Sequence, residues 1–178
     1  MAINVFVGMG SNLGDSARIL QQAWQLLGEH QEIRLKQLSS PFLSAPVNMD
    51  SNHWFTNAVG LLKTTMSAEH TLDFFLAVEK QLGRIRNADQ PGYQDRTIDL
   101  DLLFFGNFRQ KSPRLTLPHP RFSERLFVLA PIAEIAPDFH DPKSGKTMSE
   151  LLALLQKKMK DEHVPEQEIR SGRWQDQP

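Results

Sequence analysis

An α+β fold with one antiparallel sheet is the class that the sequence predicts, on three observations. Four short runs rich in β-branched and aromatic residues are typical of strands. Two longer segments carry apolar residues at helical spacing. The order is strand, helix, strand, strand, helix, strand, which is the order of the ferredoxin-like βαββαβ sandwich. That sandwich places helices on one face of the sheet and leaves the other face for a site under the loops.

The first half of the chain supplies three of the strands. The run Ile3–Gly8 is predicted to be a strand that ends in a turn over Gly8–Gly14. The spacing of apolar side chains predicts a helix over Ser16–Gly28. Pro41–Trp54 lacks periodicity and is predicted to be a long loop, which in a compact domain is usually functional or disordered. The other two strands are Ile33–Leu38 and Phe55–Thr64.

The second half supplies the fourth strand and further helices. Ser67 is predicted to cap a helix that runs to Leu82. After a polar loop at Asn87–Gln94, the strand Thr97–Phe105 follows. A short helix is expected at Phe127–Ile135, and Thr147-Met148-Ser149-Glu150 matches a capping box that opens a last helix. We expect a single domain over residues 1–160 and a polar, loosely held tail over residues 161–178.

Composition narrows the class of function. The 178 residues carry a formal net charge of −1, which argues against nucleic acid as a partner. The chain has no cysteine, so disulfides and thiolate chemistry are excluded. The N-terminal residues lack the pattern of a secretory signal, and no apolar run is long enough to span a bilayer. We therefore expect a cytoplasmic protein with no membrane partner, and a monomer.

The strand that begins after Arg96 carries two carboxylates. Asp99 and Asp101 are two residues apart, so in a strand both point to one face. Adjacent anions repel unless a positive group lies between them, and Mg²⁺ is commonly held by one or two carboxylates together with substrate phosphates. The alternative is a solvated pair bonded to Arg96 or Arg84. Aspartate is rare in strands, which favours the metal site.

Basic residues are grouped in the segments that flank this strand. Arginine suits phosphate because it stays charged and presents a planar fork of donors. Taken singly, each arginine is better explained as a solvated surface residue, and His119 as a packing residue. Together they predict a triphosphate clamp, of the kind found in phosphoryl-transfer sites. The group consists of Arg84, Arg86, Arg96, Arg114, His119, Arg121 and Arg125.

Aromatic residues and one amide could hold a flat heterocycle. Phe55 and Asn57 share a face of the third strand, and Phe127 lies near the start of the short helix. Most aromatic residues belong to the core. A site for a flat heterocycle, however, needs aromatic side chains that stack on the ring and an amide that forms hydrogen bonds with its edge. The Gly8-Met9-Gly10-Ser11-Asn12 segment resembles a phosphate loop only weakly, because it lacks the Lys-Ser/Thr ending of that motif. A tight turn is the preferred interpretation.

Several motifs in order resemble the 6-hydroxymethyl-7,8-dihydropterin pyrophosphokinases of folate synthesis. The resemblance runs from about Val5 to Asp138 and is most specific at Arg96-Thr97-Ile98-Asp99-Leu100-Asp101. The other matching segments are Gly10-Ser11-Asn12-Leu13, Phe55-Thr56-Asn57-Ala58, Gly83-Arg84-Ile85-Arg86, Arg114–Arg121, Glu124–Leu129 and Pro131–Pro137.

The resemblance implies an activity and a site. The enzyme would transfer the pyrophosphoryl group of ATP to the pterin hydroxymethyl group and release AMP. Asp99 and Asp101 would hold two Mg²⁺ ions and, with Arg84 and Arg96, form the catalytic set. ATP, as co-substrate, would be bound by Glu79, Arg84, Arg86, Arg96, Arg114, Thr116, His119 and Arg125. The pterin would be bound by Ser44, Val47, Phe55, Asn57 and Phe127. Loops around Asn48 and Gln90 would close over both substrates.

Two other functions remain open from the sequence. A diverged paralogue could bind nucleotide or pterin without turnover. A sheet of this topology could also bind single-stranded RNA, although the acidic pair and the net charge argue against it. The family commonly has Gly and a small residue before the arginine, where this chain has Gln94-Asp95. An inward-pointing Asp95 would weaken the hold of Arg96 on a phosphate.

Overall fold

The computed structural model describes residues 1–46, 52–85, 95–161 and 167–174. Eight strands and four α-helices lie within them. The strands are β1 (Ile3–Ser11), β2 (Ile33–Leu38), β3 (Phe42–Ser44), β4 (Phe55–Thr64), β5 (Asp99–Phe105), β6 (Gln110–Lys111), β7 (Thr116–Leu117) and β8 (Ile169–Ser171). The helices are α1 (Ser16–Gly28), α2 (Ala68–Gln81), α3 (Leu126–Ile135) and α4 (Met148–Asp161).

The main sheet is antiparallel throughout. Its strands run in the order β5-β1-β4-β3-β8, and β2 pairs with the other end of the long strand β4. Strand β1 lies between β4 and β5 and pairs with both. The predicted α+β, ferredoxin-like arrangement of four strands and two helices is confirmed. Strands β6 and β7 form a separate two-stranded sheet.

Helices cover both faces of this sheet. On the first face, α1 and α2 bury Leu20, Leu27 and Phe75 against Val5 and Val7 of β1. On the second face, α3 and α4 form another core, whose members include Phe6, Leu103, Phe104, Leu129 and Met148. The prediction of helices on one face therefore holds for α1 and α2 but is incomplete. Alternate side chains of a strand point to opposite faces, so Phe6 joins one core while Val5 and Val7 join the other.

Helix ends follow their predicted chemistry. The Ser67 hydroxyl accepts the His70 N–H at 3.2 Å and caps α2, and Gly83 beyond its end has a φ of +84°. The capping box of α4 is also confirmed. The Glu150 N–H donates to Thr147 Oγ1 at 3.1 Å, and the Thr147 N–H donates to Glu150 Oε2 at 2.7 Å. None of the described helices has the length and apolar character needed to cross a membrane.

Three segments differ from their predicted structure. Strand β1 continues through Gly8 and Gly10 to Ser11, because β4 and β5 pair with it on both sides over those residues. The predicted loop after Pro41 contains β3, which pairs with β4. Residues 169–171 of the predicted loose tail form β8 on the edge of β3. In each case pairing with a distant strand outweighs local turn or loop propensity.

Candidate active site

The acidic pair lies next to two glycines of β1, Gly8 and Gly10, which present no side chain on this face of the sheet. Asp99 and Asp101 pair across the sheet with Gly10 and Gly8, and on its other side Gly10 pairs with Asn57. A Cβ added at Gly10 would lie 3.3 Å from Asn57 Oδ1, and one at Gly8 would lie 3.3 Å from Leu103 Cδ1. The two glycines therefore leave the surface of the sheet between the two carboxylates and the Asn57 amide free of side chains.

Two arginines hold Asp99. Arg84 Nη1 donates to Asp99 Oδ1 and, at 2.8 Å, to the Ile98 carbonyl. Arg96 Nη1 donates to Asp99 Oδ2 at 2.7 Å. Arg84 follows α2 and Arg96 precedes β5, so the carboxylate joins two segments that are far apart in sequence. The structure brings Asp99, Arg84 and Arg96 together, and these are the contacts that the alternative of an arginine-bonded aspartate pair also expects. Both arginine side chains are largely buried.

Glu79 lies beneath the site and not in its wall. Its side chain is 2% exposed. Glu79 Oε1 accepts the Leu100 N–H at 2.7 Å and an Arg84 N–H at 3.2 Å. Glu79 thus ties α2 to the start of β5 and orients the arginine that holds Asp99. Its predicted role towards ATP would be exerted through Arg84.

Asp101 is the less neutralised member of the pair. Its nearest basic partner is Arg125, with 3.7 Å between Arg125 Nη1 and Asp101 Oδ2. Burial, and then the neighbouring charge of Asp99, raise the pKa of Asp101 to about 7. Two carboxylates that disfavour each other's charge fit a divalent cation. Across the described residues no group of three or more His, Asp or Glu side chains gathers to hold a metal, so other ligands would be phosphate oxygens and water.

Two cavities meet at the acidic pair. The larger has a volume of about 1000 Å³ and the smaller of about 410 Å³. Asp99, Asp101 and His119 line both. Of the other predicted site residues, the larger is lined by Ser44, Phe55, Asn57, Arg96, Phe127 and Arg125. The smaller is lined by Arg114 and Thr116. The predicted pterin residues that the structure describes thus lie on one side of the aspartates, and two of the predicted ATP residues on the other.

The larger cavity combines aromatic rings with a buried amide. Asn57 Nδ2 donates to Ser44 Oγ at 2.9 Å and to the Phe42 carbonyl at 3.3 Å, which fixes the orientation of the amide. The Arg96 guanidinium lies 5.5 Å from the centre of the Phe55 ring, and that of Arg125 lies 5.7 Å from Phe127. Arg96 and Arg125 therefore each contact both an aspartate and an aromatic ring of the cavity.

The smaller cavity brings together neutral and cationic donors. Burial, and then Arg125, lower the pKa of His119 to about 4, so its ring is neutral near pH 7. His119 Nδ1 lies 3.3 Å from the Arg121 N–H and accepts it, which leaves the proton on Nε2 as a donor. Arg114 is 56% exposed and forms an ion pair with Asp73 of α2. Among the predicted site residues, Val47 and Arg86 lie outside the described residues, as do the loops around Asn48 and Gln90.

Asp95 bonds to Asn12 and His53. Its Oδ1 accepts from Asn12 Nδ2 at 2.6 Å, and its Oδ2 lies 3.1 Å from His53 Nδ1. Asn12 Oδ1 in turn accepts the Arg96 N–H at 2.8 Å. Asp95 therefore helps Asn12 to orient the backbone at Arg96.

Five residues contribute to the site in ways that the sequence does not predict. The sequence favours a turn at Gly8 and Gly10, although their spacing of two, next to a β-rich run, is also a signal for a strand with one face free of side chains. Asn12 was noted only as part of a motif. Lys158 and Gln167 line the larger cavity from the C-terminal region, where the sequence offers no pattern that points to a site.

Comparison with known proteins assigns the family. The family model for 7,8-dihydro-6-hydroxymethylpterin-pyrophosphokinase matches residues 6–137. The chain belongs to this family. A pyrophosphokinase of this kind from Synechocystis is 38% identical over 146 residues, which cover 82% of this chain and 73% of the relative. That from Bacillus subtilis is 37% identical over 130 residues, covering 73% and 76% respectively. That from Pseudomonas aeruginosa is 36% identical over 153 residues, covering 86% and 92%.

Solved structures share the pyrophosphokinase fold. A Plasmodium falciparum HPPK-DHPS crystal structure with pteroate superposes with a TM-score of 0.72 at 13% identity. The match covers 92% of this chain and 44% of that one, so this chain spans less than half of the solved polypeptide. At this identity the likeness concerns the fold alone, and it agrees with the ferredoxin-like topology described above.

Proposed function

We propose that this chain transfers the pyrophosphoryl group of ATP to the hydroxymethyl group of 6-hydroxymethyl-7,8-dihydropterin and releases AMP, a step of folate biosynthesis. Family membership supports the reaction. The observation that carries the proposal is the position of Asp99 and Asp101 between two cavities. One cavity offers rings and an amide, and the other offers phosphate-binding groups, so a pterin and a nucleotide would meet at the carboxylates.

The pterin would occupy the larger cavity. Phe55 and Phe127 provide ring faces for stacking, and Asn57 provides an amide whose orientation is set by Ser44. Val47 is proposed to complete this pocket by the resemblance alone. The bare backbone at Gly8 and Gly10 leaves room for the bicyclic ring beside the carboxylates.

The triphosphate would extend from the smaller cavity to the acidic pair. Arg114, Thr116 and the Nε2–H of His119 are available as donors along this path. Because His119 is neutral near pH 7, it would contribute a hydrogen bond without adding charge. Arg84, Arg96 and Arg125 lie around the aspartates and would neutralise phosphate charge where the transfer takes place. Arg86 is proposed for the same role.

Asp99 and Asp101 would hold two Mg²⁺ ions. The pair fits such ions, because its members share a face and their charges disfavour each other. Magnesium, when bound, supplies charge neutralisation on the triphosphate and acidifies the attacking alcohol. The residues themselves would set the geometry: β5 aligns the carboxylates, Glu79 and Asn12 orient Arg84 and Arg96, and the two cavities align acceptor and donor.

The deciding experiment is an assay of AMP release. We expect AMP to form from ATP only when Mg²⁺ and hydroxymethyl-dihydropterin are both present, with one AMP for each pyrophosphorylated pterin. Omission of the pterin serves as the control for ATP hydrolysis. If the protein binds both ligands by calorimetry but releases no AMP, the result favours the non-catalytic paralogue and overturns the proposed enzyme.

A further inference from the structure

The segment that follows α4 is attached along one edge of the larger cavity. Strand β8 pairs with β3, with Ile169 opposite Ser44. The Ala45 N–H donates to the Glu168 carbonyl at 3.2 Å, and the Gly172 N–H donates to the Pro41 carbonyl at 2.8 Å. Trp174 Nε1 donates to the Ser39 carbonyl at 2.8 Å. This segment therefore holds the whole of β3, including the Ser44 hydroxyl that orients Asn57.

Gln167 is the first described residue of this segment, and its side-chain amide bonds to the backbone on both sides of Arg125. Its Oε1 accepts the Leu126 N–H at 2.8 Å. Its Nε2 donates to the Glu124 carbonyl at 2.7 Å. The two bonded backbone groups lie directly before and after Arg125, so the peptide units on either side of this arginine are both held by one side chain.

The bond to Leu126 replaces a missing helix cap. Arg125 is the residue before α3, and its own side chain makes no capping hydrogen bond. The first N–H groups of a helix lack partners within the helix, and a side-chain acceptor there usually comes from the preceding residues. Here the acceptor comes from residue 167, more than forty positions later. The direction in which the chain enters α3 thus depends on Gln167.

Two site residues leave the backbone at this point. The Arg125 guanidinium lies 3.7 Å from Asp101 and 5.7 Å from the centre of the Phe127 ring. Phe127 is the second residue of α3 and lines the larger cavity. Rotation at the Glu124–Leu126 backbone would move the arginine away from the acidic pair and the ring away from its stacking position.

We propose that Gln167 is a positioning residue for the reaction: by bonding to Glu124 and Leu126 it sets Arg125 against Asp101 and Phe127 against the bound pterin. This rests on the proposed function, because it assigns Arg125 and Phe127 to that reaction. Gln167 acts through its neighbours, and it also lines the larger cavity at its edge.

The test compares Gln167→Ala and Gln167→Glu with Gln110→Ala in the full chain. Gln110→Ala also removes a side-chain hydrogen bond, of 2.7 Å to Glu69, and neither Gln110 nor Glu69 lines either cavity. We expect Gln167→Ala to lower kcat/KM for the pterin about tenfold, the scale of one or two lost hydrogen bonds. Displacement of Arg125 should also lower kcat, because this arginine is proposed to neutralise phosphate charge at the transfer site. The KM for MgATP should rise less than the KM for the pterin, because Arg114, Thr116 and His119 are untouched. Gln167→Glu keeps the acceptor for Leu126 and should retain an intermediate kcat/KM. Gln110→Ala should match the wild type.

Two readouts do not depend on turnover. Amide hydrogen exchange at Leu126 should be protected in the wild type and in Gln110→Ala, and should lose protection in Gln167→Ala. Pterin affinity by calorimetry should fall in parallel. Unchanged protection, or lost protection with unchanged pterin affinity and kcat/KM, would overturn the inference. A wild-type protein that releases no AMP would overturn the proposed function instead, and the calorimetric comparison would still decide the role of Gln167.

Discussion

At the scale of single residues, the site places two partly buried carboxylates, Asp99 and Asp101, close to each other. Asp101 has a pKa of about 7 because it is buried next to Asp99, whereas Asp99 is neutralised by Arg84 and Arg96. The two carboxylates of one strand therefore differ in their environment. The strand spacing places both on one face, but the arginines that distinguish them come from outside β5.

The first prediction concerns these carboxylates. Asp99→Asn and Asp101→Asn keep the side-chain size and remove the charge. We expect each to lower kcat by about 10²–10³-fold or more, the scale for losing one electrostatic contact to the reacting groups. AMP release measures the loss, and circular dichroism checks the fold.

Asp138→Asn is the matched control, because Asp138 is exposed and lies outside both cavities. It should keep wild-type activity. Turnover that stays within a few-fold of the wild type in both site variants would contradict the metal role of the pair.

The second prediction concerns the protonation of His119. Its pKa is about 4 in the folded chain, below the ordinary value of 6.5, so the folded state binds fewer protons than the unfolded state between these limits. This residue's contribution to stability is complete above about pH 6.5 and is lost as the pH falls towards 4. His119→Gln should make unfolding free energy less dependent on pH in that window.

Proton NMR of the His119 ring and urea unfolding at several pH values test this directly. His140→Gln provides the comparison, because His140 is exposed on the surface. A His119 ring that titrates near 6.5 would show that the residue is not desolvated as described.

At the scale of elements, β1 shapes the site because two of its residues, Gly8 and Gly10, have no side chain. Local propensity suggested a turn at Gly8 and Gly10, but the strand continues because both of its edges are paired. No left-handed backbone requires these glycines, since the positive-φ glycines of the described residues are elsewhere. Gly8 and Gly10 matter because they leave empty space on the face of the sheet that carries Asp99, Asp101 and Asn57.

The third prediction follows from that space. Gly10→Ala adds a Cβ at 3.3 Å from Asn57 Oδ1, between the amide and Asp99. The added methyl would occupy space proposed for the pterin and press on Asn57, so we expect the pterin Kd to rise about tenfold, equal to about 1.4 kcal/mol. Asn4→Ala changes an exposed position of the same strand and should leave the Kd unchanged. Pterin titration followed by fluorescence gives both values. Wild-type affinity in Gly10→Ala would mean that the pterin does not approach β1 here.

At the scale of the whole molecule, two cores hold the site from opposite sides of one sheet. The first core attaches α2, and with it Glu79 and Arg84, to β5. The second attaches α3 and α4 to the face that carries the aspartates. The larger cavity therefore opens between the sheet, the start of α3 and α4, while the smaller opens towards α2.

The fourth prediction concerns ligand-linked stability. A ligand that binds only the folded state at 100 times its Kd raises the unfolding free energy by about 2.7 kcal/mol. We expect Mg²⁺ with a non-hydrolysable ATP analogue to raise the Tm, and a chelator to remove most of the increase. In the Asp99→Asn, Asp101→Asn double variant the increase should be largely absent. Equal increases in both proteins would show that nucleotide binding does not involve the pair.

The sequence by itself determined the local features. Strand and helix periodicity, the caps at Ser67 and Thr147, and the shared face of Asp99 and Asp101 depend on neighbours within a few residues, and all were predicted. Only the tertiary structure decided that Arg84 and Arg96 both bond to Asp99, that Asn12 bonds to the Arg96 backbone, and that Gln167 bonds to the backbone around Arg125. The physical reason is that strand pairing and burial join segments that no local pattern relates, so the continuation of β1 through its glycines and the C-terminal strand β8 depend on partners far away in the sequence.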